Sequence, residues 1–336
     1  MTMKKTITLF LPGLLLGTSE NMPAMPALSK LLSRSQCQSG ANTIELALKS
    51  LFSGLGASQI PAGALGALSH GLIQPNDDTY WCRADPIECL VDHHSVYLLG
   101  NTHLQLTTDE EMACLSSLNQ LLQQDGISIM IKHSQWYISI PAQVDLVMND
   151  LLEVLGKNMS PLLPSGPDQI YWRRLLTECQ MLLQSSAVNE QRLAANKPLI
   201  SSLWFWGLGA LPKNIDTEFD FIYTNDSILQ GLSICAKKPY ANMPPKWESA
   251  MMVGANVLFS DMQFYSLFKQ QLENAGHQLL AYYEENWFKP LLNALMQGHF
   301  DVLKLICADG RVFTIKKMNL KYFWKRICPV QKFSMV

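Results

Sequence analysis

Residues 202–260 begin with SLWFWG (202–207), continue with FDFIYT (219–224) and SILQGLSICA (227–236), and end with ANVLFS (255–260). The first, second and last of these segments are short runs of apolar, aromatic and β-branched residues, which is typical of strands. The segment between them has the composition of a helix. Strands that alternate with helices predict a mainly parallel sheet covered by helices, and therefore an α/β fold.

The apolar run near the start of the chain has two interpretations. ITLFL (7–11), followed by Pro12 and Gly13, is typical of a buried strand that enters a loop. Two lysines before this run and MPAMPA (22–27) after it are also typical of a secretory signal peptide, and this alternative stays open. No later apolar run reaches the roughly 20 residues that cross a bilayer, so we expect no membrane span.

Composition excludes some classes of protein. The chain has 336 residues, 48% of them hydrophobic and 16% charged, and a formal net charge of -2. It can therefore bury a sizeable core without disulfides or metal. Lysine and arginine are scattered, so we expect no nucleic-acid partner. The eight cysteines form no C-x-x-C pair, which favours free thiols, a cytoplasmic location and no zinc site.

Residues 76–165 have the pattern of a compact α+β unit. Apolar and polar residues alternate in 80–106, which indicates two or three strands. Thr108 and Glu111 have the spacing of a capping box, so we expect a helix from about 109 to 124. ISIMIK and QWYISIP then predict a hairpin.

The stretch MSPLLPSGP (159–167) is rich in proline and serine, which indicates a hinge. Ser165 is the expected N-cap of a long helix that ends near Ser186. The expected division is therefore into an α/β core of residues 1–75 and 166–336 and an inserted α+β cap of residues 76–165.

The cluster Asp92-His93-His94 contains the residue types that bind first-row metals. On a strand, however, adjacent side chains point to opposite faces, so His93 could not share a metal ion with its two neighbours. A hairpin turn explains these polar residues more simply, and we expect no metal site here.

Arginine residues carry the possible anion-binding chemistry. Arg83 could hold a phosphate or carboxylate in a bidentate manner, or it could pair internally with Asp85, and the sequence leaves both open. Asn189 and Arg192 follow a predicted helix, where converging donors could also meet an anion.

In order along the chain, three segments resemble the cofactor-independent phosphoglycerate mutases, especially their archaeal-type branch and a group of mutase-like or regulatory proteobacterial proteins. The segments are YWCRADPIECLVDHHSVYLLGN (80–101), SAVNEQRLAANKPLISSLWFWGLG (186–209) and FIYTNDSILQGLSICA (221–236). The second is the most specific, because it keeps the order and spacing of Asn189, Arg192, Trp204, Trp206 and Gly207. The resemblance implies an alkaline-phosphatase-like α/β core with an inserted α+β cap.

Members of that family transfer phosphate through a serine nucleophile at two divalent metals, and two metals need several Asp and His ligands. This chain has Pro12-Gly13 where the family has Asp-Gly, and only Asp261 within VLFSDMQFY (257–265). It has Asp309-Gly310 where the family has Asp-His. Ser260 could stand for the nucleophile, but without metals or a base its hydroxyl is weakly reactive.

The resemblance therefore implies a catalytically degenerate relative, with no catalytic residue, metal or cofactor, that binds a phosphorylated small molecule or acts in regulation. The predicted substrate-binding residues line a cleft between core and cap: Arg83, Asp85, Asn189 and Arg192. The rival hypothesis is an active mutase or phosphatase with ligands such as Asp92, His94 or Asp261. A third is an interaction scaffold that uses the predicted helix at 263–297; the sequence identifies no protein partner.

Overall fold

The computed structural model describes residues 4–16, 22–141, 143–321 and 326–334. It divides into two compact units: a discontinuous unit, Met1–Leu55 with Asn214–Val336, and an inserted unit, Gly56–Lys213. In chain order, the strands are β1 (Thr6–Phe10), β2 (Gln36–Ser39), β3 (Tyr80–Asp92), β4 (Ser95–Gly100), β5 (Ser128–Lys132), β6 (Gln135–Ile140), β7 (Ser202–Gly209), β8 (Phe221–Thr224), β9 (Tyr240–Ala241), β10 (Asn256–Ser260), β11 (Val302–Ile306) and β12 (Arg311–Lys316).

The helices are α1 (Pro26–Arg34), α2 (Ile44–Leu51), α3 (Ala62–Ser69), α4 (Thr108–Leu122), α5 (Leu151–Val154), α6 (Gln169–Gln184), α7 (Ala187–Ala194), α8 (Ser227–Cys235), α9 (Gln263–Lys269), α10 (Glu273–Tyr283), α11 (Lys289–Gln297) and α12 (Lys317–Leu320). A π-helical segment, Glu284–Phe288, joins α10 to α11. None of these helices combines the length and the apolar composition that a bilayer crossing requires.

The discontinuous unit is built on a mixed sheet with the strand order β2-β12-β11-β1-β10-β8-β9. β1 lies in its middle and pairs in parallel with β10 and β11. β12 and β2 extend one edge in antiparallel fashion. The sequence-based prediction of a mixed α/β fold with a buried first strand is therefore confirmed: Ile7, Leu9 and Phe10 are almost fully buried.

The π-helical segment places a carboxylate at the start of α1. Residue Met25 gives this helix no side-chain cap. Instead, the buried Glu284 accepts hydrogen bonds from the backbone N–H groups of Ala27 and Leu28, at 2.5 and 3.1 Å. A carboxylate there satisfies two helix-terminal donors and complements the helix dipole.

The inserted unit contains an antiparallel sheet with the order β4-β3-β6-β5, and β7 pairs with β3. The position of β7 corrects a prediction. SLWFWG is a strand, but it pairs antiparallel to β3 rather than with the parallel strands. Its register sets Trp206 beside Arg83. Apolar periodicity identifies a strand without identifying its partner, which explains the error.

The boundaries of the inserted unit differ from the expected 76–165. Helix α3 packs against β3 and β7, and α6 packs against β7, so residues 56–75 and 166–213 belong to the same compact unit. The hinge predicted at 159–167 forms a short 3₁₀ helix and a β-bridge within this unit.

The helix caps are displaced from their predicted positions. The capping box of α4 joins Thr107 and Glu110, one residue earlier than expected, because Thr107 has the extended backbone of an N-cap. Ser165 lies in a bridge with Val147, and α6 begins after Asp168 without a side-chain cap. Ser186 instead caps the separate helix α7.

Two tight hairpins lie in the inserted unit. His93 and His94 form the turn between β3 and β4, so the hairpin interpretation of this cluster is confirmed. The turn between β5 and β6 consists of His133 and Ser134, which both have positive φ, 50° and 55°. Two left-handed residues are the requirement of a type I′ turn, which matches the twist of a hairpin.

Candidate functional site

Four parallel strands of the discontinuous unit end in register. Ile306, Phe10, Ser260 and Thr224 are aligned across β11, β1, β10 and β8. The carboxyl ends of parallel strands are the usual place for a ligand in open α/β sheets. The segments in which the family resemblance implies metal ligands follow these strand ends.

The acidic residues at this edge are bound to other groups of the chain. Asp261 accepts hydrogen bonds from the Tyr283 hydroxyl and the Gln263 backbone N–H, at 2.5 and 2.9 Å. Burial and Asp261 both raise the pKa of Tyr283, so the phenol stays protonated and donates to the carboxylate. Asp309 forms an ion pair with Arg311. The buried hydroxyl of Ser260 has no hydrogen-bond partner within the part of the chain that the structure describes.

This edge does not fit the pair of divalent metals that the family resemblance implies. Among the described residues, no group of three or more His, Cys, Asp or Glu side chains is placed to hold a metal ion. The side chain of Pro12 cannot ligate a metal, and no base among the described residues forms a hydrogen bond with the Ser260 hydroxyl. The cavity beside Gly13, of about 320 Å³, is lined mainly by leucine and phenylalanine, which does not suit a phosphate.

A second candidate site lies on the central strand of the inserted unit. Arg83 on β3 is flanked directly by Tyr137 on β6 and by Trp206 on β7. Its guanidinium carbon lies 5.1 Å from the centre of the tyrosine ring and 5.4 Å from that of the tryptophan ring. Cross-strand neighbours on one face of a sheet account for this arrangement, in which two aromatic rings hold the cation.

Arg83 also pairs with Asp85, the next residue on the same face of β3. Asp85 accepts a further hydrogen bond of 2.6 Å from Trp206 Nε1. On the other side, Arg83 donates to the Gln135 side chain at 2.9 Å and to the Trp136 carbonyl at 3.3 Å. The internal pairing that the sequence left open is therefore present.

From Gln135 the polar contacts continue to two histidines. The Tyr137 hydroxyl donates to Gln135 at 2.6 Å and lies 3.0 Å from His70 Nδ1. The ring of His133 lies 4.9 Å from that of His70. Tyr137 is buried and His133 is exposed, so the contacts run from the interior of the unit to its surface.

The surroundings of His70 are basic. Burial, followed by the nearby His133, Arg83 and Lys132, lowers the pKa of His70 to about 4. His70 is therefore neutral at pH 7. We define the basic cluster as His70, Arg83, Lys132 and His133. Its positive charges favour an anion rather than a cation.

The other two predicted binding residues lie in separate contacts. Asn189 binds the backbone of Leu183 and Ile200, with distances of 2.8 to 2.9 Å. Arg192 donates to the carbonyls of Pro198 and Leu104 and to Glu110, at 2.7, 2.6 and 2.9 Å. Both side chains are buried, so their donors hold the loops around α7 in place.

The structure thus brings Arg83 and Asp85 together but not Asn189 and Arg192, which the sequence grouped with them. It adds His70, Lys132 and His133, which sequence reasoning missed. The strand alternation of QWYISI placed Gln135 and Tyr137 on one face, but nothing local in the sequence linked β6 to His70, 67 residues before Tyr137.

No protein-family model matches the chain, and no curated protein matches it. Solved structures similar to it include the PH0037 protein of Pyrococcus horikoshii, with 11% identity, a TM-score of 0.49, and coverage of 94% of this chain and 88% of that chain. They also include a cofactor-independent phosphoglycerate mutase of Thermoplasma acidophilum, with 15% identity, a TM-score of 0.43, and coverage of 93% and 89%. At these identities and scores, the two likenesses carry no argument about activity.

Proposed function

We propose that this chain is a catalytically degenerate relative of the cofactor-independent phosphoglycerate mutases, with an alkaline-phosphatase-like core, that acts in the cytoplasm by binding a small phosphate- or carboxylate-bearing molecule. The observation that carries the proposal is the donor set at the strand ends of the discontinuous unit. A two-metal reaction needs side chains that are available to bind metal. At these positions the chain has Pro12, Asp261 hydrogen-bonded to Tyr283, and Asp309 ion-paired with Arg311.

Two further observations support a binding role. The basic cluster gathers three cationic or protonatable groups around His70, and phosphate and carboxylate ligands need such donors. Arg83 is held between two rings, so little side-chain entropy is lost when it meets a ligand. The free thiols of all eight cysteines agree with a reducing compartment.

The first test is elemental analysis of the purified protein, together with a phosphoglycerate mutase assay with added manganese. We expect no stoichiometric metal and no turnover. Near-stoichiometric metal with turnover would contradict the proposal and favour an active mutase or phosphatase.

The second test is calorimetric titration with 3-phosphoglycerate and with inorganic phosphate. Arg83→Ala should weaken binding at least tenfold, while Arg174→Ala, at an exposed position on α6, is the matched control and should bind like the parent chain. A chain that binds neither compound would instead favour the scaffold hypothesis. Equal affinity of the parent chain and Arg83→Ala would remove Arg83 from the binding site.

A further inference from the structure

The hydrogen-bond donors around Gln135 have a fixed order. Arg83 can only donate, so the Gln135 atom that it contacts is the amide oxygen. The Tyr137 hydroxyl lies 2.6 Å from that same oxygen, and it must therefore also donate there. Its own oxygen is left as the acceptor of the 3.0 Å contact with His70 Nδ1.

This order fixes the tautomer of His70. If the Tyr137 oxygen accepts, Nδ1 carries the proton, and Nε2 of the neutral ring carries a lone pair. The opposite tautomer would set the Nδ1 lone pair against the lone pairs of the Tyr137 oxygen. The ring therefore cannot offer an Nε2–H donor to a ligand without gaining a second proton.

The surroundings of His70 attract anions while its Nε2 lone pair repels them. Three elements face the ring with titratable or charged groups: β3 with Arg83, whose charge is paired with Asp85, the β5–β6 hairpin with Lys132 and His133, and β6 with Tyr137. Without a ligand, these cations oppose a further positive charge on His70. A bound anion places a negative charge beside the ring, so it stabilises the imidazolium form of His70.

Building on the proposed binding role, we infer that the basic cluster binds an oxyanion together with one proton, which is taken from solvent by Nε2 of His70. In the free protein the ring is neutral and donates only to Tyr137. In the complex it is a cation that donates from Nδ1 to Tyr137 and from Nε2 to the anion. Affinity for the ligand therefore rises as the pH falls.

Sulfate is the appropriate probe, because it does not itself titrate between pH 6 and 8. We expect its affinity to rise by up to about tenfold for each unit of pH lost. Calorimetry at pH 7, in two buffers with different heats of ionisation, should show net proton uptake of up to one proton per sulfate bound. Chloride at equal ionic strength controls for screening.

His70→Asn is the decisive variant, because its amide N–H can still donate to Tyr137 but it cannot take up a proton. In a His133→Gln background, which removes the other protonatable ring of the basic cluster, it should bind sulfate with no pH dependence and no proton uptake. His103→Asn, at an exposed histidine outside the cluster, is the matched control and should behave like the parent chain. Histidine ¹⁵N resonances of the parent chain provide a readout without substitution: His70 should change from the Nδ1–H form to imidazolium when sulfate is added.

Sulfate binding without proton uptake, or proton uptake that persists when His70→Asn is combined with His133→Gln, would overturn this inference and leave the proposed function intact. No binding of sulfate or 3-phosphoglycerate at any pH would instead remove the proposed function itself.

Discussion

Replacement of Arg192 by alanine tests whether this residue maintains the fold or binds a ligand. The guanidinium is 1% exposed and donates from Nε to Pro198, from Nη2 to Leu104 and from Nη1 to Glu110. In Arg192→Ala, both carbonyls lose a donor and Glu110 loses its closest cation.

The expected cost follows from these three contacts. A buried acceptor left without a partner costs about 1–3 kcal/mol, and breaking a buried ion pair costs about 3–5 kcal/mol. The contributions overlap, and Glu110 is partly exposed and keeps its hydrogen bond to the Thr107 backbone. We therefore expect Arg192→Ala to lower the stability of the inserted unit by about 4 kcal/mol, close to a thousandfold in its opening equilibrium.

Hydrogen exchange followed by mass spectrometry measures this loss within one unit. Amides of β7 and of the loop at Pro198 should exchange much faster in the variant, while those of β1 and β10 in the discontinuous unit serve as an internal reference. Arg174→Ala is the matched control. Its side chain is 62% exposed and pairs with Glu178 one helical turn away, so it should cost less than about 0.5 kcal/mol.

Unchanged exchange in Arg192→Ala, combined with a loss of affinity for 3-phosphoglycerate, would refute the structural role. Arg192 would then be a ligand-binding residue, as the sequence alone suggested. Glu110→Gln offers an independent check, because it should show a smaller loss of stability in the same peptides.

Three further predictions concern the inserted unit. The pKa of His70 falls from 6.5 in the unfolded chain to about 4 in the fold, so protonation of this ring favours the unfolded chain. We therefore expect the free energy of unfolding to fall by about 1–2 kcal/mol between pH 6.5 and pH 4, after allowance for the partial exposure of His70. His70→Asn should flatten this part of a urea-denaturation pH profile, and an unchanged profile would contradict the pKa shift. Burial raises the pKa of Asp150 to about 6, so Asp150→Asn should stabilise the protein by about 1 kcal/mol at pH 8 and by almost nothing at pH 4; equal effects at both pH values would exclude this cause. Gly63→Ala should destabilise by more than about 3 kcal/mol, since a Cβ there would lie 2.4 Å from the Cα of Cys82 on β3, and a variant that melts like the parent would show that α3 can move away.

Much of the fold could be predicted from local pattern. The segments around β1, β8 and β10 are short, continuous apolar runs, and such runs identify strands buried on both faces. The partner of β7 could not be predicted, because its composition suits a central strand of either sheet. The extent of the inserted unit depended on that partner, so the predicted boundaries were also displaced.

The candidate site was predictable to the same degree. Arg83 and Asp85 are two residues apart on one strand, so their pairing follows from the period of a strand. The contact of His70 with Tyr137 has no local signal, since it depends on how α3 packs against β6. Asn189 and Arg192 show a different difficulty. Hydrogen-bond donors that could bind a ligand can equally bind the backbone of a buried loop, and the sequence does not distinguish the two roles.

The position of β1 also has a consequence for how the chain folds as it is synthesised. Thr6 pairs with Asn256 and with Val302, so the first strand finds its neighbours only after some 250 residues have followed it. The inserted unit, by contrast, is continuous in sequence and leaves the ribosome complete before β10 and β11 are made. We therefore expect it to fold first, while the apolar β1 segment remains without partners and accessible to chaperones until the second half of the sheet emerges.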